Sequence, residues 1–388
     1  MLKKTSCIAP FINLTIDPIH NTSPCPYLGG GSWNFQDTPN FQTIWRSEKL
    51  EELRSSHLAG EKNPICQRCW NEEDSGKESA RLRFLKDYSK QLGSITEKIK
   101  TKAYMYGPTI LTMKNGNICN LQCRSCGPKD SYSWIPEAKS HIKNFPDKLD
   151  GTWFAGESFK KNWTDKQLDD FQTLSKNLIR VEHYGGEPLH NPKVIEHTQM
   201  LVDSGYAKNI DLYFNTNGTH IPNDRLQKLF KHFKSIEFNL SIDGVEGHFE
   251  YIRYPAKWDK LNDTITWLKN YEKENNLFWG IISTVSILNV FYLDQMLKTF
   301  DSWNKSNVFL NMLENPQYYN IKNLPNETKK IITKKYKGHD RLVSVVNIMN
   351  AETKNDKHWE QFKFWTKQKD NYRNQTFQFT FPEFHSII

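Results

Sequence analysis

The segment Thr109-Ile-Leu-Thr-Met113 predicts a strand, and the turn Asn115-Gly-Asn117 leads from it into Cys119-Asn-Leu-Gln-Cys123-Arg-Ser-Cys126. Three cysteines so close together suit an iron–sulfur cluster or a soft metal ion. A cubane that is bound by three cysteines leaves its fourth iron open to a ligand from outside the protein. The alternatives are a zinc knuckle that lacks one ligand and three unrelated buried thiols.

Strands and helices alternate on the C-terminal side of this segment. Strand-like patterns occupy residues 109–113, 178–183, 210–214, 236–242, 281–287 and 308–312. Between them, Asn191-Pro192 and Asn223 each mark the beginning of a helix. This alternation predicts βαβ crossovers and a parallel sheet.

The fourth strand-like pattern indicates how that sheet is shaped. Apolar Ile236, Phe238, Leu240 and Ile242 alternate with polar residues, whereas a strand covered by helices on both faces is apolar almost throughout. One face is therefore expected to line a polar lumen. The pattern predicts an α/β fold with a partial (β/α)6 TIM-like barrel, whose functional residues lie at the carboxyl ends of the strands.

Composition limits the class of protein. The chain has 388 residues and a net charge of +8, but its basic residues are scattered among 44 acids, which is more typical of a solvated surface than of a nucleic-acid site. The most apolar stretch, residues 277–293, is too short and too polar to cross a membrane. The first residues lack the apolar run of a secretory signal, so the cytoplasm is expected. In a reducing compartment, seven cysteines favour metal binding or catalysis over disulfides.

The C-x3-C-x2-C spacing after a first strand resembles the signature of radical SAM enzymes, over about residues 105–315. The segment Gly185-Gly186-Glu187-Pro188 is similar to the GGEP motif of that family. The resemblance implies that Cys119, Cys123 and Cys126 bind a 4Fe–4S cluster and that the GGEP segment binds the amino group of S-adenosylmethionine (SAM). The reduced cluster would cleave SAM to a 5′-deoxyadenosyl radical, which abstracts hydrogen from a substrate. Ser125 stands where the family usually has an aromatic residue.

Further SAM contacts follow from the same resemblance. Asn217, Ser241 and Asp243 end the third and fourth strands, where they could bond a ribose or a carboxylate; the alternative is simple turn formation. Arg253 matches an arginine that pairs with the SAM carboxylate in related enzymes, and Asn289 matches a polar residue near the adenine. No residue is assigned a catalytic role.

The remaining cysteines are Cys7, Cys25, Cys66 and Cys69, and four thiolates complete the coordination of a 4Fe–4S cluster or a zinc ion. Together with Trp70, the Cys66–Cys69 pair resembles the twitch or SPASM type of auxiliary cluster domain, although that domain generally follows the barrel. Iron–sulfur, zinc and no metal all remain open here.

Three regions are expected: a cysteine-rich auxiliary domain (1–100), a radical SAM core barrel (101–320) and an aromatic-rich C-terminal extension that packs on the barrel (321–388). The resemblance implies a reductant such as flavodoxin or ferredoxin, and a peptide or small molecule as substrate, with a ribosomally made peptide favoured. The alternative function is a zinc-binding adaptor, without enzymatic activity, that binds nucleic acid or protein.

Overall fold

The computed structural model describes residues 2–17, 22–26, 28, 40–149, 165–351 and 356–387. The strands are β1 (Asn13–Ile16), β2 (Thr22–Ser23), β3 (Ile110–Lys114), β4 (Arg180–Tyr184), β5 (Asp211–Thr216), β6 (Ser235–Ser241), β7 (Leu277–Val285) and β8 (Val308–Met312). The helices are α1 (Ala9–Ile12), α2 (Phe41–Trp45), α3 (Glu48–Ala59), α4 (Gln67–Asp74), α5 (Ala80–Asp87), α6 (Leu92–Lys100), α7 (Ile135–Asn144), α8 (Asp165–Leu174), α9 (Pro192–Asp203), α10 (Asp224–Phe230), α11 (Glu246–Ile252), α12 (Trp258–Glu274), α13 (Leu293–Ser302), α14 (Asn326–Lys335), α15 (Val343–Asn350), α16 (Asp356–Arg373), α17 (Phe377–Thr380) and α18 (Pro382–His385).

The strands form an eight-stranded sheet in the order β2-β1-β3-β4-β5-β6-β7-β8. The pairs β1/β3, β3/β4, β4/β5 and β7/β8 are parallel, and β1/β2 is antiparallel. The predicted α/β class with a mostly parallel sheet is confirmed, and the six predicted strands correspond to β3–β8. Closure into a partial barrel stays a prediction.

The chain divides into two compact units. Unit 1 comprises Met1–Gly116, Phe159–Phe214 and Pro222–Glu237, and unit 2 comprises Asn117–Ser158, Asn215–Ile221 and Phe238–Ile388. The regions expected from the sequence, with boundaries near residues 100 and 320, stay predictions.

In unit 1, the N-terminal stretch contributes a strand to the sheet. β1 pairs in parallel with β3, with Asn13 opposite Ile110, and the Thr112 hydroxyl donates to Asn13 Oδ1 at 3.0 Å. An apolar cluster covers this part of the sheet, because α1 and α6 bury their apolar side chains against β3. Its buried members are Ile8, Phe11, Ile12, Ile95, Ile99, Tyr104 and Ile110.

Two predicted helix beginnings in unit 1 are confirmed. The Asn191 side chain accepts a hydrogen bond from the Lys193 N–H at the start of α9, and Asn223 accepts one from Leu226 at the start of α10. Each amide oxygen satisfies a main-chain N–H that has no partner within its helix.

In unit 2, the C-terminal residues pack through their aromatic side chains. Trp359, Phe362 and Trp365 are buried on α16, and the rings of Phe381 and Tyr251 meet edge to face at 5.0 Å. Phe379 and Tyr372 are instead exposed, with 83% and 44% of their surfaces accessible. Among the helices of the described ranges, none is both long enough and apolar enough to cross a membrane.

Candidate functional site

The loop that carries Cys119, Cys123 and Cys126 is anchored through its main chain. The Gln122 N–H donates to the Tyr254 carbonyl at 2.6 Å, and the Arg124 N–H donates to the Ile252 carbonyl at 2.8 Å. The Trp134 indole N–H donates to the Cys123 carbonyl at 3.1 Å. With both sides of Cys123 held in this way, the position of its main chain is fixed by the fold of unit 2.

The three thiols of this loop lie close enough to affect one another. A hydrogen bond from the Cys126 thiol lowers the pKa of Cys123. The same bond, followed by burial and then by the charges of Cys123, Asp130 and Cys119, raises the pKa of Cys126 well above its ordinary value. The Leu121 N–H donates to Cys119 Sγ at 3.4 Å, which orients the first sulfur of the loop. One loop therefore presents three soft ligands, of which Cys123 has a lowered pKa.

Asn217 lies next to this loop. Its Nδ2 is 4.0 Å from Cys119 Sγ and donates to Asn120 Oδ1 at 2.9 Å, while its Oδ1 accepts from the Thr219 N–H at 2.9 Å. Ser241 accepts a long hydrogen bond of 3.4 Å from Asn215 Nδ2. The structure therefore brings Asn217 to the first cysteine.

Arg253, Asp243 and Asn289 form a connected group in unit 2. Arg253 Nη2 lies 2.8 Å from Asp243 Oδ2, and Asn289 Nδ2 donates to the carbonyls of Asp243 and Thr284 at 3.0 and 2.9 Å. Burial lowers the pKa of the Arg253 guanidinium. The charges of Asp243, Cys123 and Cys126, with the hydrogen bond to Asp243, together outweigh this and the net shift is upward. Arg253 is thus held charged, and it adds to the fall in the pKa of Cys123.

The Gly-Gly-Glu-Pro segment follows β4 in unit 1. Gly185 and Gly186 have φ angles of +81° and +52°, the left-handed region that favours glycine. A Cβ at Gly185 would lie 3.1 Å from the Gly116 carbonyl oxygen. Glu187 is fully buried and its Oε1 accepts from the Leu189 N–H at 3.1 Å, which orients the carboxylate, and Pro188 is buried beside it.

The four remaining thiols surround one cavity of about 30 Å³ in unit 1, and the Cys66 sulfur lies 3.8 Å from His57 Nε2. Burial raises the pKa of the Cys66 thiol to about 11 and that of Cys7 well above its ordinary value, with the neighbouring thiols adding to the effect. Four such groups can ionise together only if a cation compensates their charge.

The donor sets consist of thiols, which are the ligands of iron–sulfur clusters. All seven cysteines are thiols. Across the part of the chain that the structure describes, no group of three or more His, Cys, Asp or Glu side chains is arranged to hold a single metal ion. The sulfurs that bind a cubane lie farther apart than the ligands of one ion, because each sulfur binds a different iron.

Two residues beside the cysteines, one in each unit, have no signal in the sequence motifs. His57 precedes Cys66 on a different helix, and Trp134 follows Cys126 by eight positions outside any recognised pattern. A tryptophan soon after a cysteine loop is a signal for such a support, because a buried indole N–H needs a hydrogen-bond acceptor.

The chain is similar in sequence to two known proteins. No protein-family model matches the chain. The chain is 28% identical over 229 residues to Uncharacterized protein MJ0907 of Methanocaldococcus jannaschii, covering 58% of this chain and 70% of that protein. It is 23% identical over 240 residues to the radical SAM cyclopropyl synthase TigE of Paramaledivibacter caminithermalis, covering 62% of this chain. The match spans only 48% of the synthase.

Among solved structures, native anSMEcpe with bound AdoMet has a TM-score of 0.43 and 17% identity, over 64% of this chain and 63% of that chain. SuiB of Streptococcus suis bound to S-adenosylmethionine has a TM-score of 0.40 and 11% identity, over 76% and 62%. The sequence similarity to the synthase supports the radical SAM class that the two motifs predict.

Proposed function

We propose that this chain is a radical SAM enzyme in which Cys119, Cys123 and Cys126 bind a 4Fe–4S cluster. The observation that carries the proposal is the group of three mutually interacting thiols on one anchored loop. The similarity to a radical SAM cyclopropyl synthase supports it. When bound, the cluster and SAM supply a 5′-deoxyadenosyl radical that abstracts hydrogen from a substrate.

The residues around the loop would bind and orient SAM. Arg253 is held through Nη2 by Asp243, and its buried Nε has no hydrogen-bond partner in the described part of the chain. A guanidinium oriented in this way suits a carboxylate, so we assign Arg253 to the carboxylate of SAM. Asn217 and Ser241 are assigned to the ribose or the carboxylate, and Asn289 to the region of the adenine.

The Gly-Gly-Glu-Pro segment is assigned to the amino group of SAM. The positive φ angles of Gly185 and Gly186 turn the main chain without a side chain in the way, so that carbonyl groups can approach a ligand. Glu187, oriented by the Leu189 N–H, would accept a hydrogen bond from the ammonium group, and Pro188 fixes the end of the segment.

We further assign Cys7, Cys25, Cys66 and Cys69 to an auxiliary 4Fe–4S cluster. The upward shifts in the pKa of Cys7, Cys66 and Cys69 support a metal site, since their thiolates need positive charge beside them. With four cysteine ligands no iron is left open. The cluster would therefore transfer electrons and would not bind the substrate.

The substrate we favour is a ribosomally made peptide, and the reductant a flavodoxin or ferredoxin. Peptides carrying candidate sequences, deuterated at the carbons exposed to attack, would be incubated with the enzyme. Transfer of deuterium into 5′-deoxyadenosine identifies the substrate, whereas transfer from a small molecule and from none of the peptides would contradict a peptide substrate.

The proposal is tested with anaerobically reconstituted protein, dithionite and SAM. Wild type should form 5′-deoxyadenosine, and Cys123→Ala should form none. Cys66→Ala is the matched control: it should keep SAM cleavage but lose about four iron atoms per chain. If Cys123→Ala forms as much 5′-deoxyadenosine as wild type, the assignment of the loop is wrong. Zinc in place of iron at Cys66 would exclude the auxiliary iron–sulfur cluster.

A further inference from the structure

Arg373, the last residue of α16, is buried, which its sequence context does not suggest. Its side chain is 0% exposed, and its Nε donates to Glu137 Oε2 at 2.9 Å. Glu137, in α7, is also 0% exposed, and its second oxygen lies 3.2 Å from His141 Nε2. The ion pair is therefore fully removed from solvent. Charges in the interior of a protein are only weakly screened.

This guanidinium lies against the residues that hold the cysteine loop. Its centre is 4.5 Å from the Trp134 ring and 5.1 Å from the Tyr254 ring. Trp134 donates to the Cys123 carbonyl, and the Tyr254 carbonyl accepts from Gln122. Arg373 is thus separated from the loop by only one layer of side chains.

Arg373 and Arg253 differ in how their charges are compensated. The charge of Arg253 is met directly by Asp243 at 2.8 Å. Arg373, by contrast, shares Glu137 with His141.

Arg373 also retains unused hydrogen-bonding capacity. Its Nη1 and Nη2 are buried and have no hydrogen-bond partner among the residues that the structure describes. A buried guanidinium that makes only one charged hydrogen bond is costly. That cost is offset if a larger negative charge lies nearby, as it would at a loop of three thiolates.

We propose that Arg373 is a positioning residue of the cysteine loop whose charge raises the reduction potential of the cluster bound there, and that Glu137 moderates this effect. The inference rests on the proposed function and deepens it. Reduction adds one negative charge to the cluster, so a cation held close in a medium of low dielectric constant stabilises the reduced form.

The test is the reduction potential of the loop cluster. It is measured in the reconstituted full chain without SAM, by redox titration followed with EPR. The pH is about 8, where imidazoles are neutral. Arg373→Met should lower the potential, and Glu137→Gln should raise it. The double variant should return close to wild type, and Arg373→Lys, which keeps the charge, should stay close to it. Lys363→Met breaks an exposed ion pair with Glu360 on the same helix and should change nothing.

Opposite shifts in the reduction potential for the two single variants separate an electrostatic role from a structural one. Shifts in the same direction for Arg373→Met and Glu137→Gln, or no shift in either, would overturn the inference. If Arg373→Met fails to fold, Glu137→Gln decides alone: an unchanged or lowered potential contradicts the inference. A wild-type protein that binds no iron at the loop would overturn the proposed function itself.

Discussion

Arg81 and Glu73 form a two-point ion pair, with 2.6 Å between Nη2 and Oε2 and 3.0 Å between Nε and Oε1. Arg81 Nη1 also donates to the carbonyl of Ser6 at 3.1 Å, directly before Cys7. Glu73 belongs to α4, the helix that carries Cys69. This pair therefore ties two distant cysteine-bearing segments together before any metal binds.

Glu73→Gln should loosen the auxiliary site. Removing one partner leaves the Arg81 charge, which is only 6% exposed, without compensation, at a cost of about 2 kcal/mol in the free energy of unfolding. Urea unfolding and metal analysis measure the two effects, and the iron lost should be that of the N-terminal cysteines. Glu78→Gln, in the exposed pair with Lys86, is the control and should alter neither quantity.

Gly185→Ala should weaken SAM binding at least tenfold. The variant places a Cβ 3.1 Å from the Gly116 carbonyl oxygen and forces an alanine to adopt a φ of +81°. Gly205→Ala imposes nearly the same backbone strain, with a φ of +78°, but its Cβ meets nothing within 4 Å. Both should lose about 1 kcal/mol of stability from the φ angle. Calorimetric titration with SAM should distinguish them, and equal affinities would contradict the role of Gly185.

Stability should fall in acid because His183 is buried in its neutral form. Burial lowers its pKa from 6.5 to about 3, and its Nδ1 lies 3.0 Å from Asn115 Nδ2, which can donate only to an unprotonated nitrogen. Between these two pH values the unfolded chain binds a proton that the folded chain does not. The free energy of unfolding therefore decreases as the pH falls, by up to about 1.4 kcal/mol per pH unit for this residue.

His183→Gln should reduce that slope, measured by urea unfolding of the metal-free protein between about pH 7 and about pH 5. His197→Gln should act in the same direction, since burial lowers the pKa of His197 to about 4. A His183→Gln variant that loses stability as steeply as wild type would show that His183 does not contribute to the acid sensitivity.

Asn217→Asp should lower the iron content of the cysteine loop and the reduction potential of the remaining cluster. The substitution keeps the shape but replaces the Nδ2 donor, 4.0 Å from Cys119 Sγ, with a negative oxygen that also faces Asn120 Oδ1. Asn223→Asp is the matched control, because aspartate caps a helix as well as asparagine does. Iron analysis and redox titration check both, and identical values for the two variants would contradict the contact.

Much of the sheet follows from local pattern. The alternation in residues 236–242 predicts β6 because a period of two is visible within seven residues, and Asn191-Pro192 predicts the start of α9 from adjacent positions. These features depend only on neighbours in sequence. The cysteine loop can be recognised in the sequence for the same reason, since its three thiols lie within eight consecutive residues.

The supports of that loop could not be predicted. Arg373 and Glu137 are 236 positions apart, and no periodicity links them. The scattered basic residues of the sequence suggest a solvated surface, yet Lys369 is 1% exposed and donates to the Tyr318 hydroxyl at 3.3 Å. Tertiary packing decides which basic residues are buried, and it leaves no pattern in the local sequence.

The parallel pairing of β1 with β3 has a consequence for synthesis. Asn13 and Thr112, which are bonded across these strands, are 99 residues apart in the chain. During translation β1 therefore leaves the ribosome long before its neighbour exists, and pairing over such a separation is slow. Until then the apolar side chains of β1 lack their partner strand, and contacts between α1 and α3 are the ones that can form early.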